Sequence, residues 1–121
     1  MSQLAEALNL NDASQYKSEA ENLKVKIQTQ FYNENDGWFY DTNIEGTQFI
    51  KGEGSEGWIA LWANAATQEQ AENVKNKMMN PNKFFTKVPF QTMSADHEKF
   101  DPLKGNWRGP NWLDQAYFGT K

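Results

Sequence analysis

The chain has 121 residues, a formal net charge of −4 at pH 7, one histidine and no cysteine. The lack of cysteine excludes a disulfide scaffold and thiolate metal sites, and the single His97 excludes a metal site built from several histidines, so no cofactor or metal is predicted. The scattered basic residues argue against a nucleic-acid partner, and no apolar run reaches membrane-spanning length. No signal peptide is visible, and the sequence leaves the cellular compartment open.

Two helices are predicted at the start of the chain. Residues 2–8 carry the apolar positions of a short helix. A second helix is opened by Asp12 and Gln15, which stand at the spacing of a capping box. Apolar residues then recur every three or four positions, so this helix is expected to run to about Gln30 with one apolar stripe.

A β-hairpin and a more apolar helix are predicted next. The aromatic segments 38–40 and 48–50 flank a polar loop, which predicts two short strands that pair with each other. Ser55 is a candidate cap for a helix over residues 55–66. Because apolar residues occur nearly all round this helix, we expect it to be buried on most sides.

The second half combines two helices with a long loop. Thr67 and Gln70 repeat the capping-box spacing at the start of a helix that ends near Met78. Residues 83–106 form a long irregular stretch, and loops of that length are usually functional or disordered. A last helix is predicted to open at Gly109–Pro110, with proline in its first turn.

The densest candidate site is Gly105–Trp112, where Trp107 and Trp112 flank the guanidinium of Arg108. Aromatic residues make up 14% of this otherwise polar chain. Aromatic faces stack on the C–H faces of sugars, and glycines let a ligand approach the backbone, so this pattern is what recognition of a pyranose needs. The alternative is a buried tryptophan pair with Arg108 holding a carboxylate, and the residues alone leave both open.

A second candidate is the loop that runs from Gly52 to Trp58, which places two carboxylates and an indole before a helix. A general acid/base pair could combine a glutamate of this loop with an aspartate from later in the chain. Acidic residues also favour the first turn of a helix for electrostatic reasons alone, and we favour that interpretation. The residues concerned are Glu53, Glu56, Asp96, Asp101 and Asp114.

Three segments together resemble glycoside hydrolase family 63. They are GSEGWIALWA at 54–63, GNWRGPNWLDQAYFG at 105–119, and the end of a helix followed by DGWFYD at 31–41. The resemblance implies a mainly α fold, a partial (α/α)6 toroid of helical hairpins with a small β-hairpin. A complete toroid of twelve helices needs on the order of 300 residues, so residues 1–121 are expected to be a single fragment of the catalytic domain.

The resemblance also implies inverting hydrolysis of alpha-glucosidic bonds in an oligosaccharide or disaccharide. The family's general acid lies before the matching region and its general base after it, so no catalytic residue is assigned and activity of this chain alone stays uncertain. Trp107, Arg108 and Trp112 match positions that line the sugar pocket, and Trp58 matches its rim or wall. The expected partners are the remainder of the toroid or a second copy of the chain, with no nucleic acid and no membrane.

Two other functions remain open at this point. The chain could be a non-catalytic carbohydrate-binding or interaction module that reuses the same layer of helices. It could also be a small self-sufficient hydrolase that pairs Glu53 or Glu56 with Asp114. Turnover by the purified chain would separate the last possibility from the other two.

Overall fold

The computed structural model describes all residues, 1–121. Its first two helices are α1 (Ser2–Ala7) and α2 (Ala13–Lys26), and a single π-helical turn continues α2 over Ile27–Phe31. These helices confirm the sequence prediction, but the capping box at Asp12 is wrong because its side chain makes no capping hydrogen bond. Gln15 instead donates to Glu19 further along the helix.

Four two-residue strands follow: β1 (Tyr32–Asn33), β2 (Trp38–Phe39), β3 (Asp41–Thr42) and β4 (Phe49–Ile50). β1 pairs with β2 and β3 pairs with β4, both antiparallel. The predicted pairing of 38–40 with 48–50 is therefore wrong. The chain turns between β1 and β2 at Gly37, which has a φ of +61° that favours glycine, so β2 pairs back onto β1, the strand that directly follows the π-helical turn.

Three helices complete the regular structure: α3 (Glu56–Trp62), α4 (Gln68–Met78) and α5 (Leu113–Gly119). The predicted capping box of α4 is confirmed, since Thr67 accepts the N–H of Gln70 and the Gln70 side chain accepts the N–H of Thr67. The last helix begins at Leu113 and not at Gly109–Pro110 as predicted.

An aromatic cluster forms the centre of the core. Trp38 and Phe84 stack with ring centroids 5.1 Å apart and planes 6° from parallel, and Trp58 meets Phe84 edge-on at 5.1 Å. α3 packs against β2, α4 and α5. Gly57 of α3 makes this possible, because a Cβ there would lie 2.1 Å from the Trp38 indole. The core thus depends on close approach between a strand, a loop and a helix.

The expected mainly α, partial (α/α)6 toroid is contradicted by this architecture. Helices hold 41% of the residues, and two small antiparallel sheets make the fold a mixed α/β one. The physical reason lies in the core, which is filled by aromatic side chains from β2 and from the irregular segment between α4 and α5, including Phe84 and Phe90. None of the helices is both long and apolar enough to cross a bilayer.

Candidate functional site

A parallel pair of indoles stands at the surface just before α5. The rings of Trp107 and Trp112 stack with centroids 4.8 Å apart and planes only 3° from parallel. Trp107 is 51% exposed and Trp112 is 39% exposed, so both residues of the pair are partly open to solvent. The Trp112 Nε1–H donates to the carbonyl oxygen of Asn106 at 3.0 Å. This hydrogen bond holds the Trp112 ring against the backbone immediately before Trp107.

The guanidinium of Arg108 lies next to this pair in the chain and is half exposed. Its Nη2 is 3.9 Å from the Asp101 carboxylate, which is a loose contact for an ion pair. The Asp101 carboxylate instead accepts a hydrogen bond from the backbone N–H of Lys104 at 3.0 Å. Most of the five donors of Arg108 therefore remain available to a ligand.

The backbone between the two indoles takes a conformation that only glycine adopts easily. Gly109 has a φ of +128°, and a Cβ at this position would lie 2.4 Å from the ring of Phe100. The backbone N–H of Asp101 donates to the Arg108 carbonyl at 2.6 Å, which ties the segment to the preceding turn. The indole pair is thus displayed from a constrained loop, whereas the sequence predicted a loop-to-helix junction with Trp112 inside the helix.

Trp58 occupies a different environment from the other three predicted site residues. Its side chain is only 1% exposed and packs among the core aromatics, with its Nε1–H donating to the Gln115 carbonyl at 3.2 Å. The indole therefore joins α3 to the start of α5 and offers no open face to a ligand. The structure brings Trp107, Arg108 and Trp112 together at the surface and places Trp58 inside.

Glu53 is held by two lysines in a mostly polar cavity. Its carboxylate lies 2.6 Å from Lys77 Nζ and 2.7 Å from Lys83 Nζ, and Lys83 also contacts Asp96 at 2.8 Å. Burial acts to raise the pKa of Glu53, but the two lysines together lower the pKa below its usual value. A carboxyl group with a lowered pKa cannot serve as a general acid near neutral pH.

The pKa of Glu56 is shifted in the opposite direction from that of Glu53. Burial raises its pKa to about 7, although the carboxylate accepts the Gly54 N–H at 2.8 Å. It lines an apolar cavity of 220 Å³ together with Asp41, Phe31 and Ile59. Asp114, its predicted partner, accepts the N–H of Gln115 in the first turn of α5. The two residues of the hypothetical acid/base pair therefore each bond to the backbone of their own segment, Glu56 to Gly54 and Asp114 to Gln115.

A second aromatic surface was missed from the sequence. Trp62 and Phe118 pack at 4.6 Å and line a groove of 540 Å³ between α3, α4 and α5, with Met78 and Met79. Trp62 is 54% exposed, whereas the pattern of α3 led us to expect burial on most sides. No local spacing signals this pair, since its members belong to helices far apart in the chain. No group of three or more His, Asp or Glu side chains is arranged to hold a metal ion.

Comparison with known proteins identifies the family to which this chain belongs. The family model for the mannosylglycerate hydrolase MGH1-like glycoside hydrolase domain matches residues 1–121. An uncharacterized protein of Borreliella burgdorferi is 25% identical over 122 aligned positions, which cover 100% of this chain and 26% of that protein. The chain therefore spans about a quarter of the length of this relative. The predicted membership of a glycoside hydrolase family is confirmed: the chain belongs to the MGH1-like glycoside hydrolase domain family.

Proposed function

We propose that this chain supplies a sugar-binding surface to a longer glycoside hydrolase that cleaves alpha-glucosidic bonds with inversion. The observation that carries the proposal is the half-exposed parallel stack of Trp107 and Trp112 beside the half-exposed guanidinium of Arg108. The resemblance of segments 54–63 and 105–119 to glycoside hydrolase family 63 supports the choice of linkage.

The chemistry of the stack suits a pyranose. The outer indole faces are flat apolar surfaces onto which the C–H groups of a sugar ring can pack. Arg108 adds N–H donors that can bond to sugar hydroxyls or to an acidic substituent. Because the Trp112 Nε1–H already donates to the Asn106 carbonyl, the ring needs no further partner when a sugar covers its face.

We place the catalytic acid and base outside this chain. Inverting hydrolysis needs two carboxyl groups roughly 6.5–9.5 Å apart with a water between them. Glu53 is paired with two lysines, which keep it ionised, and Asp114 stands in the first turn of α5, where acidic residues are favoured for electrostatic reasons alone. Glu56 has a suitable pKa, but it lines a separate apolar cavity to which neither Trp107 nor Trp112 contributes.

The partner in this proposal is the remainder of the longer hydrolase, or a second copy when the chain is alone. Apolar side chains that a stable monomer would normally cover remain exposed on the N-terminal helices, including Leu4, Leu8 and Leu23. Sedimentation of the purified chain would show this association as a mass above 13.9 kDa.

Binding of saccharides to the full chain tests the proposal. The panel contains alpha-linked glucose disaccharides and mannosylglycerate, the latter because the family description names a mannosylglycerate hydrolase. We expect a change in tryptophan fluorescence on binding, and Trp107→Ala should weaken the affinity at least about tenfold, as loss of an aromatic anchor does. Trp62→Ala is the matched control, since Trp62 is equally exposed but lies in the other groove.

The outcomes separate the candidate functions. Binding that survives Trp107→Ala unchanged, or no binding to any member of the panel, would reject the proposed site. Release of glucose by the chain alone, abolished by Glu56→Gln, would instead support the self-sufficient hydrolase. No turnover above a Trp107→Ala control agrees with an acid and base that lie elsewhere.

A further inference from the structure

The segment between Gln91 and Ser94 concentrates the buried polar side chains of this protein. Gln91, Thr92 and Ser94 are all buried, and Asn33 is the one other buried polar residue. A polar group loses its water on burial and must find hydrogen bonds inside the protein to avoid a large cost. The partners of this segment therefore indicate which parts of the fold it holds together.

Thr92 holds the backbone that carries the indole pair. Its Oγ1 donates to the Pro110 carbonyl at 3.0 Å and accepts the Gly109 N–H at 3.3 Å. Its own backbone N–H also donates to the Pro110 carbonyl, at 3.2 Å. A single residue that is 4% exposed thus binds both the Gly109 N–H and the Pro110 carbonyl.

The other neighbours of Thr92 anchor it to the body of the fold. Met93 forms an antiparallel bridge with Gly54, and the Ser94 N–H donates to the Glu53 carbonyl at 2.9 Å. On the preceding side, Gln91 donates to the Lys83 carbonyl at 2.6 Å. The hydroxyl of Thr92 is therefore presented from a fixed backbone and can act as a rigid tie.

The turn at Gly109–Pro110 lies between the two indoles in the chain, with Trp107 before it and Trp112 after it. The chain bends at Arg108 and Gly109, and the rings on either side of this bend stack with their centroids 4.8 Å apart. We infer that the Thr92 hydroxyl is a positioning group that sets the Trp107–Trp112 stack in the geometry for binding a saccharide. The saccharide in this inference rests on the proposed function, whereas the control of the stack by Thr92 does not.

Thr92→Val tests the inference, because valine has nearly the same shape and lacks the hydroxyl. Thr92→Ser is the matched control, since serine keeps the hydroxyl. Three properties of the full chain are measured: the exchange rate of the Gly109 amide, the exciton couplet of the stacked indoles in circular dichroism, and the dissociation constant for the tightest-binding saccharide of the panel. Thr92→Val removes both hydrogen bonds of the hydroxyl, but the Pro110 carbonyl keeps the backbone N–H of Thr92, so only the Gly109 N–H loses its partner. One buried group without a partner corresponds to about a tenfold effect, so we expect about tenfold faster exchange and about tenfold weaker binding in Thr92→Val.

The couplet should also weaken in Thr92→Val and persist in Thr92→Ser. An unchanged couplet and unchanged Gly109 exchange in a folded Thr92→Val protein would overturn the inference, even if the wild-type chain binds saccharides. If the wild-type chain binds no saccharide but the couplet depends on the hydroxyl, the proposed function fails and the positioning role stands. Should Thr92→Val not fold, Thr92→Cys replaces it, since a thiol is a weak donor and acceptor. A Gly109 amide that exchanges in the wild type as fast as a free loop amide would overturn the inference without any variant.

Discussion

Replacing Glu56 with glutamine should change how the stability of this protein depends on pH. Burial raises the pKa of Glu56 from 4.5 to about 7 in the folded chain. The folded state therefore keeps its proton over a range in which the unfolded state has lost it. Below pH 4.5 the group is neutral in both states and costs nothing. Between pH 4.5 and about 7 the free energy of unfolding falls as the pH rises, and above 7 the cost of the buried carboxylate is constant.

The size of this cost follows from the pKa difference. Each pKa unit corresponds to about 1.4 kcal/mol, so a rise from 4.5 to about 7 gives about 3–4 kcal/mol in favour of the glutamine variant above neutral pH. Glutamine has the same length, and its carbonyl oxygen can still accept the Gly54 N–H that the carboxylate accepts at 2.8 Å. The two proteins should therefore have similar stability at pH 4 and differ most at pH 8.

Urea unfolding followed by tryptophan fluorescence at pH 4, 6 and 8 measures the difference. The matched control is Glu21→Gln, which removes an exposed carboxylate from α2. A stability difference between wild type and Glu56→Gln that stays constant from pH 4 to pH 8 would refute the reasoning. So would a side-chain carbon titration, followed by NMR, that places the pKa of Glu56 near 4.5.

Three further substitutions test the packing, a helix cap and an ion-pair network. Gly57→Ala should destabilise the protein by about 1–3 kcal/mol, because the new Cβ would lie 2.1 Å from the Trp38 ring; an unchanged melting temperature would contradict the packing described. Thr67→Ala should lower the free energy of unfolding by about 1 kcal/mol and Thr67→Ser should not, since only the hydroxyl completes the capping box of α4; equal losses in both variants would show that the cap is unimportant. Glu53→Gln should cost about 1–3 kcal/mol at neutral pH by leaving two lysine ammonium groups without their shared carboxylate. Because the folded pKa of Glu53 is lowered, its contribution is present above pH 4.5 and is lost as the pH falls through the folded pKa, so acid unfolding curves of wild type and variant should converge.

Local signals predicted the helices well. The box formed by Thr67 and Gln70 involves residues three positions apart, so the sequence contains everything that α4 needs to begin. The same spacing at Asp12 failed, because Asp12 has a ψ of 5° and not the extended conformation of an N-cap residue, which Thr67 adopts with a ψ of 166°. The spacing of a capping box is thus sufficient only where the first residue also takes the extended conformation.

Long-range pairing could not be predicted from the sequence. β2 pairs with the short strand β1 directly after the π-helical turn, which leaves β4 to pair with β3. The start of α5 was misplaced for a similar reason, since Thr92 takes the Pro110 carbonyl that a helix beginning there would have bonded to the N–H four residues later. The φ of +128° at Gly109 is also not helical.

The sequence predicted which residues make up the surface site, but not that the two indoles stack in parallel. The motif around Arg108 marked two indoles as neighbours in the chain, and the structure places them as a parallel stack. A separation of five residues does not put side chains on one face of a helix, so the stack depends on the loop before α5. Trp58 was expected at the rim or wall of the same pocket, and the structure buries it in the core. The aromatic residues that bury it come from segments that no local pattern connects to α3.

The buried segment around Thr92 has a consequence for the order in which this protein forms. Its partners lie at Glu53 on one side and at Pro110 on the other, so the loops closed by these bonds are long. Closing a long loop costs chain entropy before any contact offsets it, whereas α2 and α4 need only near neighbours. On a ribosome, α4 can form as soon as it emerges, and the bond between Ser94 and Glu53 can close once Ser94 has emerged. The bonds from Thr92 to Gly109 and Pro110 must wait until Pro110 has been synthesised, so the indole stack forms later than both.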